Sequence, residues 1–174
     1  MKSRHLAAVI VSAIISLPAA QALSAMPDGA SSINETYQDW RVTCVTNDVG
    51  ARCAMVFNQV AKDTGQRVLT VELSLPPGVD TVQGAIIAPF GLALAQGARV
   101  TVDEESEGKL FGFSTCLPQG CLVPLEFDAT MLESLKGGNV MNITVQPIDG
   151  TNMVRFPVSL KGFTAAYKRL SELR

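Results

Sequence analysis

Histidine is almost missing from this chain: of 174 residues one is histidine, His5, and it sits in a segment that reads as cleaved off. A mature chain without histidine has no Ser-His or Cys-His catalytic couple and no His-bearing zinc site. Charge is sparse too, at 17% of residues, with no basic run. A mildly acidic chain of this kind is poorly suited to nucleic acid or to an anionic membrane surface. No cysteine precedes Cys44, so a processed N-terminus would carry no lipidated cysteine. No internal repeat is present.

What is present begins with an export signal. Lys2 and Arg4 form a basic start, Leu6 to Leu17 an apolar stretch, and Ala20-Gln21-Ala22 a small-residue cleavage site. Residues 1–22 therefore read as a secretory signal peptide, too short to span a bilayer as a helix. Its removal leaves 12 of the 14 basic side chains against 16 acidic ones, a net charge of -4. Four cysteines in an exported chain imply two disulfides. They allow three pairings, and sequence proximity favours Cys44–Cys53 and Cys116–Cys121.

Residues 23–38 contain Pro, Gly and Ser without an apolar period and read as a flexible leader. Residues 39–174 then form one domain, of a length that can bury one sizeable core. Trp40, Val42 and Cys44 share a strand face, and Cys53 to Val60 returns from a turn at Asn47–Gly50. Leu69, Val71, Leu73 and Leu75 alternate with polar positions, the cleanest strand pattern in the chain. Further strands are expected over 82–88, 99–102, 140–146 and 153–159, with a bend at Pro89–Leu94. Phe111 and Phe113 alternate into Thr115-Cys116-Leu117-Pro118-Gln119-Gly120-Cys121, and Cys121, Val123, Leu125 and Phe127 alternate out of it. This predicts a hairpin with a disulfide-closed tip. Asp128 is placed to cap a short helix that carries Met131, Leu132 and Leu135 and ends near Lys136 and Gly137. Phe163, Ala166, Tyr167 and Leu170 form the apolar stripe of a C-terminal helix. The fold class expected is all-β: an antiparallel β-sandwich or barrel-like fold with one short internal helix and one C-terminal helix.

Motifs that would carry chemistry are weak. Cys116 and Cys121 have four residues between them, where a thioredoxin-type redox pair has two and opens a helix, so they read as a staple. Asp103, Glu104, Glu105 and Glu107 lack the alternating ligand pattern of a calcium loop and read as a solvated acidic turn. Ser106 and Lys109 match Ser-x-x-Lys, but the companion elements of serine acyl-enzymes are missing. Asn34 and Asn142 begin glycosylation sequons. No metal or cofactor is expected. A hydrolase with two paired carboxylates is the alternative from another function class, drawing on Asp39, Asp103, Glu104, Glu126 and Asp149.

Asp39-Trp40-x3-Cys44, Arg52-Cys53, Ala88-Pro89-Phe90-Gly91, Thr115 to Cys121 and Pro157-Val158-Ser159-Leu160-Lys161-Gly162-Phe163 occur in this order. Together they resemble the invasion-associated locus B family of exported bacterial proteins, over nearly all of Asp39 to Leu170. Residue 90, commonly leucine in such proteins, is phenylalanine here. The resemblance implies a non-enzymatic, all-β protein that is periplasmic or associated with the outer envelope, with a link to host-cell invasion in some members. It supplies no set of binding residues. The loop Leu117, Pro118, Gln119 and Gly120 is taken from the hairpin as the candidate interaction loop. The partners expected are an envelope or host-surface protein or glycan, with the chain a monomer or weak oligomer, no nucleic acid, and no transmembrane segment after processing.

Overall fold

A computed structural model describes residues 32–47, 50–79, 81–104, 107–150 and 152–174. The expected signal peptide lies outside these residues. Among the described residues eleven strands form two antiparallel sheets. β1 (Ser32–Tyr37), β2 (Trp40–Asn47), β3 (Gly50–Val60), β4 (Arg67–Ser74), β5 (Val82–Ala88), β9 (Gly120–Phe127) and β8 (Thr115–Leu117) lie side by side in that order. The second sheet runs β11 (Val154–Ser159), β10 (Val140–Val145), β6 (Ala98–Val102), β7 (Lys109–Phe111). Helix α1 (Ala129–Gly137) follows β9 and α2 (Phe163–Glu172) follows β11. Both sheets are open among the described residues, so the arrangement is a sandwich and not a barrel.

The alternating positions do what their period requires. Leu69, Val71 and Leu73 on β4 and Cys121, Val123, Leu125 and Phe127 on β9 are all buried. Phe111 meets Phe127 edge-on across the sandwich, ring centroids 5.8 Å apart. Where the four-stranded sheet does not reach, α2 supplies the cover. Its buried stripe of Phe163, Ala166 and Leu170 closes over β1–β3, and Trp40 is the centre of that contact. The Trp40 ring lies 5.2 Å from Phe163 and 5.7 Å from Phe57, and its indole N–H donates to the Ser159 carbonyl at 2.8 Å. On α1, the Asp128 carboxylate accepts the Met131 N–H at 2.9 Å, as a capping residue should. The helix runs one residue beyond expectation, with Gly138 as its C-cap.

Two expectations are corrected. The leader was expected to extend to residue 38, but Ser32–Tyr37 is a strand in full register with β2. The composition hid it because its inward side chains include a charge. Glu35 points toward α2, where the Arg169 guanidinium donates to both carboxylate oxygens at 2.8 and 2.9 Å, and the Tyr37 hydroxyl donates at 2.8 Å. The upstream arm of the hairpin is also not one strand. Phe111 ends β7 in the smaller sheet, the chain crosses over through Gly112–Ser114, and β8 joins the larger sheet.

A second carboxylate, Asp103, fastens the end of β6 to the start of β10. It stands at φ 50° and accepts the backbone N–H groups of Asn139 and Val140, at 3.0 and 2.9 Å. The buried Asn142 side chain donates to the Asp103 carbonyl at 3.0 Å. The N–H groups of Val140 and Asn139 hold the Asp103 carboxyl below its ordinary titration range, and Arg169, then Tyr37, do the same for Glu35. A carboxyl that is more acidic in the folded chain stabilises that chain while ionised. Its contribution is complete above the unfolded carboxyl range near pH 4 and fades as pH falls through the folded value. Urea midpoints should therefore drop between about pH 6 and about pH 3, and Glu35→Gln should flatten part of that slope. A slope unaltered by Glu35→Gln would contradict the coupling.

Candidate functional site

The hairpin tip is built to be stiff and exposed. Cys116 and Cys121 are bonded to each other and directly opposed in the β8–β9 register, as Cys44 and Cys53 are in β2–β3. Leu117 pairs with Gly120, leaving Pro118-Gln119 as a two-residue turn. Gly120 has φ 141°, and a Cβ there would run into the Ala88 carbonyl oxygen, so glycine lets the tip lie flush against the end of β5. Loss of the bridge by Cys116→Ala with Cys121→Ala should cost about 2 kcal/mol through the freed loop of the unfolded chain. The fold should persist, because Val123, Leu125 and Phe127 keep their buried face. Equal melting temperatures for the two proteins would refute this.

Two more loops reach the same end of the sandwich. The segment 89–97 runs directly from β5 to β6. It is held by the buried Leu92, by a bridge between Leu92 and Pro147, and by a 3-10 turn at Leu94–Gln96. The Ala93 N–H donates to the Gln146 carbonyl at 2.8 Å and the Ile148 N–H to the Gly91 carbonyl at 2.9 Å, which ties this loop to the β10–β11 turn. Held this way, Phe90 is 60% exposed, Ile148 74%, Met153 53% and Leu117 44%, and Leu94, on the same loop as Phe90, is exposed too. The sequence segments 89–97, 112–120 and 146–153 contain one charged residue, Asp149, in a chain where 17% are charged. Solvent-facing loops usually carry polar and charged tips, and apolar side chains gathered in one place mark a contact surface.

Sequence reasoning singled out Leu117, Pro118, Gln119 and Gly120 and missed Phe90, Leu94, Ile148 and Met153. Their signal was the near absence of charge in three separate loops, and nothing local shows that the loops converge.

The carboxylates considered for hydrolysis stand on separate elements of the fold. Asp39 is in the β1–β2 turn, Asp103 after β6, Glu126 on β9, and Asp149 in the β10–β11 turn. Asp103 serves backbone N–H groups, which hold its carboxyl below the ordinary range, opposite to what a catalytic acid needs. Of the acidic turn, Glu104 and Glu107 are exposed, and Glu105 and Ser106 lie outside the described residues. Among the described residues no three His, Cys, Asp or Glu side chains gather as metal ligands, and no helix is long and apolar enough to cross a membrane. A cleft of about 890 Å3 opens near the C-terminus of α2, walled by Val45, Arg52, Leu75, Pro77 and Leu173.

A family model described as invasion associated locus B (IalB) protein matches residues 40–171. The chain belongs to the invasion associated locus B family. An invasion protein B homologue of Brucella abortus (strain 2308) is 45% identical over 150 residues, 86% of each chain. Invasion protein B of Bartonella bacilliformis is 33% identical over 154 residues, 87% of this chain and 82% of the relative. The crystal structure of invasion associated protein B from Bartonella henselae superposes with a TM-score of 0.75 at 28% identity, covering 81% of this chain and 96% of that one. The IalB match begins at Trp40 and ends within α2, so it spans both sheets apart from β1. It contains all three loops of the apolar end.

Proposed function

We propose that this IalB-family chain is an exported envelope protein, a non-catalytic binding module whose working surface is the loop end formed by Phe90, Leu94, Leu117, Ile148 and Met153. The observation that carries the reading is the convergence of exposed apolar side chains on loops almost free of charge. The Cys116–Cys121 bridge supports it by holding Leu117 in place before any partner arrives. Two disulfides and the N-terminal signal pattern support residence in an oxidising compartment, periplasmic or at the outer envelope. A contribution to host-cell invasion is supported by the names of the relatives. Fractionation of cells carrying the chain tests the reading. The native protein should be retained with the envelope, and Phe90→Ser with Ile148→Ser should release it while leaving the thermal melt unchanged. Retention of a folded double variant at the native level would overturn it.

A further inference from the structure

The apolar end has a second feature, on the outer face of the smaller sheet. The strand ends there are marked by the row Phe111, Ala98, Val145 and Val154. One residue further back runs the row Leu110, Arg99, Thr144 and Arg155, on the opposite face. Leu110 is 57% exposed, and both arginines are exposed. Arg99 donates to the Gly108 carbonyl at 3.2 Å, and the Arg155 side chain has no partner among the described residues. Successive residues of a strand are about 3.3 Å apart, so Arg99 and Arg155 stand one residue behind the strand ends from which the apolar loops extend.

We propose that this end docks on a phospholipid bilayer, with Phe90, Leu94, Leu117, Ile148 and Met153 entering the interfacial region and Arg99 and Arg155 meeting lipid phosphates. The inference rests on the reading of this end as the working surface and names what that surface contacts. Three observations favour lipid over a protein or a glycan. The apolar side chains stand on the tips of separate loops, where a peptide partner would call for a groove. The Ala93 N–H and Gln146 carbonyl, and the Ile148 N–H and Gly91 carbonyl, are spent on one another, so these backbone groups are not offered to a sugar. The order of chemistry along the strand axis, apolar first and cationic behind, matches the order of a bilayer from acyl chains to phosphates. The net negative charge argues against long-range attraction to an anionic surface. Attachment therefore depends on apolar insertion, with the arginines acting at contact.

Flotation of the processed chain with phosphatidylethanolamine vesicles containing some phosphatidylglycerol tests this. The native protein should float with the vesicles. Phe90→Ser with Ile148→Ser should weaken partition by about tenfold or more, the scale expected for withdrawing large apolar side chains. Arg99→Gln with Arg155→Gln should weaken it several-fold, and more strongly at low salt. Trp40 is the sole tryptophan and is fully buried, so the emission of Ile148→Trp should shift to the blue on adding vesicles. Failure to float, or equal flotation of the folded Phe90/Ile148 variant, would overturn the proposal. So would concentration-dependent self-association in sedimentation velocity that the same variant abolishes, since the face would then meet a second copy. Loss of envelope retention in cells without vesicle binding by the purified chain would also overturn it, pointing to a protein or glycan while sparing the working surface itself.

Discussion

Trp40→Ala should destabilise the protein by about 3–5 kcal/mol, the range for removing a fully buried large aromatic side chain. Trp40 has no exposed surface and is wedged between Phe57 of β3 and Phe163 of α2. Its loss would leave a cavity where the C-terminal helix meets the larger sheet, and would leave the Ser159 carbonyl without the indole donor. The rings of Phe57 and Phe163 and the Ser159 carbonyl of β11 border the site from three elements, so little of the cavity can collapse. Trp40→Phe keeps most of the apolar volume and should cost less, the difference reporting the Ser159 hydrogen bond and the lost ring area. Because the substitution removes the sole tryptophan, unfolding is best followed by circular dichroism in urea. A loss below about 1 kcal/mol would mean that α2 repacks freely over the sheet.

The contrast between Trp40 and β1 shows what the sequence could disclose. Trp40, Val42 and Cys44 alternate as apolar residues, and so do Leu69, Val71 and Leu73; local period alone places them inward. α1 was legible from Asp128 and α2 from its apolar stripe, because caps and stripes are features of a few adjacent residues. β1 also alternates, with Ile33, Glu35 and Tyr37 partly buried. Its inward Glu35 becomes acceptable only beside Arg169, 134 residues later, and no local rule can supply that partner. An inward charge on an edge strand also discourages further strands from joining there.

The loop end was hidden for the same reason. Cysteine spacing exposed the hairpin tip, but the loops of Phe90 and Ile148 are tied to each other through hydrogen bonds between Gly91 and Ile148 and between Ala93 and Gln146. These belong to the closure of two sheets and not to either loop. The break at Gly112 was missed because Phe111 and Phe113 keep a strand-like period although Phe111 ends a strand of the smaller sheet and Phe113 lies in the crossover to the larger one. Periodicity reports which way a side chain faces and is silent about which sheet receives it.

Gly162→Val should be nearly as damaging as the loss of Trp40, through the opposite mechanism. Gly162 precedes α2 at φ 84°, a conformation that costs a β-branched residue heavily. A Cβ at this position would also collide with the Tyr37 carbonyl oxygen in the β1–β2 turn, close to Gln38. That turn itself is tight, with Gln38 at φ 54° and the Asp39 N–H donating to the Lys161 carbonyl at 3.4 Å. Relief would require α2 to lift from the turn, drawing Phe163 away from Trp40. Backbone strain and overpacking together should cost about 3 kcal/mol or more. Gly65→Ala provides the control: Gly65 also has positive φ, at 65°, but a Cβ there meets open space. It should lose only the conformational part, about 1 kcal/mol. Denaturant midpoints for the two variants separate the effects. Equal losses would show that the approach of Tyr37 to the start of α2 is not a constraint on the fold, and that backbone conformation alone selects glycine at both positions.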